Sequence, residues 1–273
     1  MAMNDDKNLR DTYLKQYSDG IEETRLSCSK AANAEFFVTL YYISKYLHPG
    51  ARVIDIGAGV GAYAKELSHK GYMVDALDLH PINVEKMKFI FKNEKNVKVF
   101  QADARDLSAF QENSYDIVLV MGPIYHLHNT EERLRAIGEA VRVAKSRAPI
   151  FVAFCLQDAP LIQYIFQSEN PALEIETIGY ERETAMVTEN KGSSIKLDTL
   201  DKVKELIVMA CKVLSVTKGP IFSQDGLSNI IRREINKMSK ESYHEWIQYL
   251  IATTERSDLM GYSNHIVQIL IKK

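Results

Sequence analysis

Residues 53–61 read VIDIGAGVG, a short apolar run that passes directly into a glycine-rich turn. The run predicts a buried β-strand, and the turn predicts the entry to a helix. The three glycines are Gly57, Gly59 and Gly61. Glycine permits a tight turn and a close approach of a ligand to the backbone, while a helix N-terminus offers unpaired N–H donors. The stretch therefore predicts a strand–loop–helix unit that binds a nucleotide-like ligand.

On both sides of this loop, short apolar strands alternate with longer helical segments. Strands are predicted at residues 51–56, 72–79, 97–101, 115–121, 148–155, 211–217 and 264–271, with short extended pieces around 184–188 and 193–197. Helices are predicted at residues 31–47, 60–70, 131–145, 159–168, 199–210, 226–237 and 241–256, and another is opened by Pro81. Strands separated by helices form a parallel sheet that is covered on both faces. The predicted fold class is therefore α/β with a doubly wound sheet.

Two further acids follow the second and third predicted strands. Asp78 and Leu79 end the second strand, where a carboxylate can accept hydrogen bonds from both hydroxyls of an adenosine ribose. Asp103 and Ala104 follow the third strand, where an acid can accept a bond from the adenine amino group. Each acid has a structural alternative, because Asp78 could cap the helix that Pro81 opens and Asp103 could be an ordinary turn residue.

Asp55 separates two nucleotide cofactors that a glycine loop can hold. The spacing Gly57-x-Gly59-x-x-Ala62 also satisfies the relaxed dinucleotide fingerprint, so NAD is an alternative. NAD-binding first strands usually stay apolar up to the first glycine, and a pyrophosphate beside Asp55 would be repelled. S-adenosyl-L-methionine (SAM) carries an ammonium and a sulfonium, which a local acid favours. The sequence therefore favours SAM over NAD.

Taken in order, VIDIGAGVG, ALDL, DA and YDIVLVMGPIYHL resemble the class I SAM-dependent methyltransferases over about residues 31–157. The segment MGPIYHL followed by RLRAIGEAVRVAK is similar to a branch of that superfamily that acts on small molecules. The resemblance implies a Rossmann-like, seven-stranded sheet whose last strand is antiparallel. It also implies SAM as cofactor and S-adenosyl-L-homocysteine as product, with Ala58, Met121 and Gly122 joining the loop glycines and the three acids in the cofactor site.

The resemblance further points to the residues before the first strand. In many relatives an N-terminal tyrosine or arginine approaches the methionine carboxylate of the cofactor. Tyr17 and Arg25 are the residues that we expect in this role, and Tyr13 competes with them. Surface or helix packing is the alternative for each of these side chains.

The candidate reaction site is the end of the fourth predicted strand. Methyl transfer is an in-line displacement, so the protein mainly aligns the acceptor, excludes water and sometimes removes a proton. His126 is the candidate general base, because histidine exchanges protons near neutral pH, and Tyr125 is a second candidate. The alternatives are a histidine bonded to backbone at a helix entry and a tyrosine packed on the sheet. No acid or cysteine is spaced near His126-x-His128, so no metal is predicted.

Composition limits the class of protein. The 273 residues are 46% hydrophobic and 26% charged, which is typical of a soluble globular chain that can bury a sizeable core. A formal net charge of −2 gives no general attraction to nucleic acids or anionic membranes, so neither is an expected partner. Three cysteines without CxxC spacing indicate neither disulfides nor a cysteine zinc site. With no apolar signal segment at the start, we expect a cytoplasmic protein.

The predicted organisation is a sheet core with additions. We expect an N-terminal helical segment at residues 1–50, a SAM-binding core at 51–157, a cap insertion at 158–198, and a C-terminal part at 199–273. That last part would contain a second helical cap insertion at residues 218–262. Residues 158–198 carry eight acidic and three basic side chains, a net charge of −5. As a lid, this segment would favour a neutral or cationic acceptor, whereas the simpler interpretation is a solvated surface.

These patterns predict a SAM-dependent methyltransferase of an unidentified small molecule. A second hypothesis is a SAM-binding protein without turnover, either a sensor or a partner subunit, because no residue is required by the sequence to be a catalyst. A third is an NAD-dependent oxidoreductase.

Overall fold

In the computed structural model, the described residues are 25–166, 168–172, 175, 178–187 and 194–273. The strands are β1 Arg52–Ile56, β2 Met73–Asp78, β3 Val97–Gln101, β4 Ile117–Val120, β5 Pro149–Leu156, β6 Tyr180–Glu181, β7 Met186–Val187, β8 Leu197–Asp198, β9 Val216–Ser223 and β10 His265–Lys272. The helices are α1 Lys30–Ser44, α2 Ala62–His69, α3 Pro81–Ile90, α4 Thr130–Val143, α5 Leu200–Val213, α6 Arg232–Lys237, α7 Lys240–Thr253 and α8 Ser257–Met260.

The main sheet has the strand order β3-β2-β1-β4-β5-β10-β9, with the short β8 beside β5. The strands β1, β2, β3, β4 and β5 pair in parallel, and every residue of β4 and β5 is buried. A parallel strand covered on both faces reads as a continuous apolar run, which is the pattern of IVLV in β4. The order reverses between β1 and β4, and ligands of such sheets bind at this switch point.

The last strand, β10, runs against both of its neighbours. Arg147 N–H donates to Lys272 O at one end of the β5 pairing, and Leu156 N–H donates to Asn264 O at the other. The partner number falls as the β5 number rises, which is an antiparallel ladder. The predicted doubly wound, Rossmann-like α/β sheet with an antiparallel last strand is therefore confirmed. The predicted number of seven strands corresponds to the path from β3 to β9, and the two-residue β8 beside β5 adds an eighth strand.

The prediction of a strand at residues 211–217 is wrong. The helix α5 continues to Val213, and β9 begins only at Val216. The pair Gly219-Pro220 lies inside β9, where sequence rules favour a turn. Since β9 is the edge strand of the sheet, the missing N–H of Pro220 interrupts no ladder on its outer side. The segment that leaves the sheet between β9 and β10 is thus residues 224–264.

The predicted helix at residues 159–168 is also irregular. A single α-helical turn at Asp158–Pro160 passes into a π-helical turn at Leu161–Ile165. The extended piece predicted around residues 184–188 contains β7, which forms a separate antiparallel hairpin with β6, a strand that was not predicted. The piece predicted around 193–197 overlaps β8 only at Leu197.

The chain divides into two compact units. The sheet unit comprises residues 40–153, 204–221 and 267–273, and the second unit draws its described residues from 1–39, 154–203 and 222–266. In the second unit, the side chain of Gln157 holds the β6–β7 hairpin, because it donates to Ala185 O at 2.7 Å and accepts from Val187 N at 3.1 Å. Within the described residues, no helix combines the length and apolar character that crossing a membrane requires.

Candidate functional site

The glycine loop after β1 is fixed by its own backbone. Gly57, Gly59 and Gly61 have φ of 76°, 58° and 86°, in the left-handed region that favours glycine. A Cβ on Gly57 would lie 2.5 Å from Cδ of Pro123, so this position has no room for a side chain. The N–H groups of Gly57 and Ala58 both donate to Leu77 O at 2.9 Å, which ties the loop to β2. Gly61 is the N-cap of α2 and adds no side-chain bond, so the helix N-terminus opens on the loop.

Asp55, the fourth of the five residues of β1, is a fully buried acid. Its side chain is 0% exposed, and neither carboxylate oxygen has a hydrogen-bond partner among the described residues. Burial raises its pKa to about 7, the negative charge of Asp78 adds to this rise, and the nearby Ala64 N–H opposes it. The buried Asp75 of β2 provides the contrast, because it accepts from the Tyr115 hydroxyl at 2.6 Å and pairs with an arginine. Asp55 therefore lies where a ligand cation would stabilise its charged form.

Asp78, at the end of β2, holds the loop from the other side. Its Oδ2 accepts from Gly59 N at 2.9 Å, and its Oδ1 accepts from His80 N at 2.7 Å and Asn83 Nδ2 at 3.3 Å. The N-cap of α3 is His80, whose Nδ1 accepts from Ile82 N, so the alternative prediction that Asp78 is this cap is wrong. Asp78 thus ties the glycine loop to the start of α3, and its predicted contact with ribose hydroxyls stays a prediction.

Asp103, after β3, forms an ion pair with Arg105. Its carboxylate accepts from Nε and Nη2 of Arg105 at distances of 2.8 to 3.2 Å. The third guanidinium nitrogen, Nη1, donates to Oε1 of Glu132 at 2.6 Å. The neighbouring Ala104 is buried, and Leu79 is half-buried with its carbonyl accepting from the side chain of Gln101. The predicted adenine acceptor is therefore one member of a three-residue ion cluster.

The chain leaves β4 through Met121 and Gly122 into a short 3₁₀-helix, Pro123–His126. A Cβ on Gly122 would lie 3.3 Å from Gly57 O, so this turn and the glycine loop are packed backbone to backbone. The hydroxyl of Tyr125, a buried residue, donates to Met121 O at 3.0 Å. His126 is half-buried, and its ring lies 4.9 Å from that of Tyr125. The structure thus brings the two predicted catalytic residues to the switch-point edge of the sheet, beside the loop.

Of the N-terminal candidates for the methionine carboxylate, only Arg25 lies within the described residues. Arg25 lies in the second unit, where its Nη1 donates to both carboxylate oxygens of Glu35, at 3.0 and 2.8 Å. Tyr17 and Tyr13 lie outside the described residues. The predicted contact of Arg25 or Tyr17 with the methionine carboxylate stays a prediction.

The second unit also contains a group that the sequence did not predict. We call Glu35, Asp225 and His265 the His265 cluster; one potential ligand atom from each lies within 4.8 Å of the others. Nδ1 of His265 lies 3.4 Å from Glu35 Oε2 and 3.6 Å from Asp225 Oδ2. Burial opposes charging of this imidazole, but Glu35, Cys155 and Asp225 outweigh burial and raise its pKa well above the ordinary value.

The residue types of the His265 cluster are those that bind a divalent metal, although the sequence predicts none. Charge within the cluster is already balanced, because Arg25 and the charged His265 face two carboxylates. Asp225 also accepts from Ser263 and Asn229, and His265 together with Ser263 holds its pKa below the ordinary value against the effect of burial. Both carboxylates of the His265 cluster therefore have a cationic or ionisable protein side chain beside them.

The part of the chain that contains the glycine loop is similar to known methyltransferases. Residues 54–152, which contain the glycine loop and the residues after β2, β3 and β4, match the family model of a methyltransferase domain. A ubiquinone biosynthesis O-methyltransferase of Xanthomonas axonopodis pv. citri is 32% identical over 108 residues, which cover 38% of this chain and 45% of that protein. The chain thus matches less than half the length of this relative.

Solved structures share the architecture at lower identity. The PH0226 protein of Pyrococcus horikoshii OT3 has a TM-score of 0.58 at 17% identity, covering 92% of this chain and 95% of that one. A SAM-dependent methyltransferase of Methanosarcina mazei has a TM-score of 0.53 at 17% identity, covering 85% of this chain and 96% of that one. These likenesses show a common fold.

Proposed function

We propose that the protein is a SAM-dependent methyltransferase of a small molecule, because residues 54–152 match the family model of a methyltransferase domain and the main sheet has the strand order β3-β2-β1-β4-β5-β10-β9. SAM, when bound, supplies a methyl carbon that its sulfonium has already activated. We also propose that the acceptor is small and neutral or cationic, which is the expectation that the net charge of −5 in the sequence of residues 158–198 gives.

The observation that carries this proposal is the orphaned carboxylate of Asp55 behind the glycine loop. A buried acid without a partner is costly, and a ligand with positive groups reduces that cost. SAM offers an ammonium and a sulfonium, whereas the pyrophosphate of NAD would add negative charge beside Asp55 and Asp78. The left-handed glycines carry no side chain that would keep such a ligand away from the loop, and no side chain caps the start of α2. The residues present therefore fit SAM.

The other residues have proposed roles that follow from their positions. Asp78 would accept hydrogen bonds from ribose hydroxyls while it holds Gly59, and Asp103 would accept from the adenine amino group. The turn at Met121 and Gly122, packed on Gly57, would form the floor beside the reacting centre.

His126 is the proposed proton acceptor. It is half-buried beside the ring of Tyr125, at the carboxyl end of β4. The Tyr125 hydroxyl is bonded to Met121 O, so we propose that Tyr125 positions the turn while His126 removes a proton from the acceptor. Alignment and exclusion of water supply the rest of the rate, because the displacement occurs at an activated carbon.

Isothermal titration tests the proposal directly. We expect SAM and S-adenosyl-L-homocysteine to bind the unaltered protein, and NAD not to bind. Asp55→Asn should weaken both cofactor forms about tenfold or more, because a charged partner of the ligand is lost. Asp75→Asn is the matched control, since Asp75 is another buried acid of the sheet that already has protein partners. Absence of binding at millimolar SAM would refute the proposal, and methyl transfer in an acceptor screen would separate an enzyme from a binding protein.

A further inference from the structure

Arg105 is a residue that neither the glycine loop nor the resemblance singles out, yet it lies between two acids of the sheet unit. Its guanidinium contacts Asp103 on one edge through Nε and Nη2, and Glu132 at the other corner through Nη1. The exposed fractions of the side chains are 18% for Arg105, 27% for Asp103 and 31% for Glu132. Because all three are partly shielded from water, these charge-assisted bonds are held more firmly than a surface ion pair.

The pairing of Arg105 with Asp103 is side-on, with the two planar groups sharing an edge. The backbone N–H of Arg105 also donates to Oδ1 of Asp103 at 2.9 Å. A carboxylate on a turn can ordinarily rotate about its last bond. Here backbone and side chain of one residue hold the same carboxylate, so the direction of its acceptor positions is set.

Glu132 holds the guanidinium in place from the first turn of α4. Its spacing from Asn129 is that of a capping box, in which the acid would reach back to the cap residue. Asn129 does cap the helix, accepting from Glu131 N at 2.7 Å, but Glu132 bonds to Arg105 instead. The ion pair therefore joins the loop after β3 to the helix that follows the β4 turn.

We propose that Arg105 is a positioning residue for cofactor binding, which directs the carboxylate of Asp103 toward the exocyclic amino group of the adenine. Glu132 supports Arg105 in this role. The inference rests on the proposed function, and it adds a selectivity device to that site: a purine with an amino group at position 6 is preferred because its acceptor is preset. Lysine cannot replace arginine here, since a point charge cannot form the side-on pair.

The test compares two ligands that differ by one group. The first is S-adenosyl-L-homocysteine, and the second is its purine-riboside analogue, in which hydrogen replaces the 6-amino group. Titration calorimetry gives the dissociation constant of each ligand for the unaltered protein, Arg105→Gln, Arg105→Lys, Asp103→Asn and the Asp103→Asn/Arg105→Gln double variant. Thermal unfolding shows that each variant is folded, and Arg105→Lys or Glu132→Gln carries the test if Arg105→Gln does not fold.

We expect Arg105→Gln to weaken the adenosyl ligand about tenfold, the size of losing one hydrogen bond to a charged group. The analogue should change less than about twofold, and the double variant should be no weaker than Asp103→Asn alone. Arg105→Lys should weaken S-adenosyl-L-homocysteine about as much as Arg105→Gln does. Glu132→Gln should weaken this ligand less, and it should also leave the affinity for the analogue nearly unchanged.

Three outcomes would overturn the positioning role while leaving the proposed function intact. These are equal weakening of both ligands, unchanged adenosyl affinity in Arg105→Gln, and full rescue by lysine. If the unaltered protein binds neither ligand, the proposed function fails as well, which is a different result.

Discussion

Replacing Asp55 by asparagine should stabilise this protein at neutral and alkaline pH. The native pKa of Asp55 is about 7, against an ordinary value of 3.8, because the buried carboxylate resists ionisation. The native state therefore binds this proton more tightly than the unfolded chain, and stability falls as pH rises from about 4 to about 7. The rise in pKa corresponds to about 4 kcal/mol of unfolding free energy lost above pH 7.

Asparagine has the shape of the protonated acid and does not ionise. Asp55→Asn should thus be close to the unaltered protein at pH 4 and more stable at pH 8, by up to about 4 kcal/mol. Between pH 5 and pH 8 the difference should grow by about 3 kcal/mol. Urea unfolding at several pH values, without ligand and followed by circular dichroism, measures this difference.

Asp75→Asn serves as the control, because it removes a buried acid that has partners. Asp75→Asn should destabilise the protein at pH 8, since the Tyr115 hydroxyl and Arg52 lose a negatively charged acceptor. The reasoning about Asp55 would be refuted if Asp55→Asn were no more stable than the unaltered protein at pH 8, or if the difference did not change with pH. Gain of stability together with weaker SAM binding would identify Asp55 as a residue kept for function.

Two further predictions concern the loop and the second unit. Gly57→Ala should lower the unfolding free energy by about 2–4 kcal/mol, because the added Cβ would meet Pro123 and φ is 76°. Gly71→Ala is the control, because Gly71 has a similar φ of 84° but open space around it, so this variant loses only the free energy of the strained backbone. Equal losses of unfolding free energy in urea would argue against the packing contact with Pro123. His265→Gln should cost about 3 kcal/mol at pH 6.5, because it leaves the buried carboxylate of Asp225 without the cation that faces it, while Glu35 keeps Arg25. Since the native pKa of His265 is raised, this difference should shrink as pH rises through that value, and a difference that does not change over the whole alkaline range in which the protein stays folded would contradict the charged imidazole.

The local pattern of residues was sufficient for most of the sheet. Strand β3 and the start of α3 at Pro81 lie where periodicity and proline position predict them, because both signals act over a few neighbouring residues. The boundary between α5 and β9 was missed because Gly219-Pro220 signals a turn. Only the place of β9 at the sheet edge makes proline acceptable inside a strand.

The same division holds for the candidate site. Residue type and order made Asp55, Asp78 and Asp103 the candidates, because each acid lies within or shortly after an apolar strand, and their contacts with a cofactor stay predictions. Their different states depend on what packs against them: Asp55 has no partner among the described residues, Asp78 ties the loop to α3, and Asp103 is held by Arg105.

Contacts between distant parts of the chain account for what the sequence did not reveal. Glu132 is 27 residues from Arg105, and His265 is 40 residues from the aspartate that it faces. No local periodicity records such pairs, since they form only when helices and strands pack and charged groups lose water. The amino-acid sequence by itself determined the strand–loop–helix unit and its acids, and tertiary packing determined which acid stayed without a partner, because burial and ion pairing depend on neighbours in space.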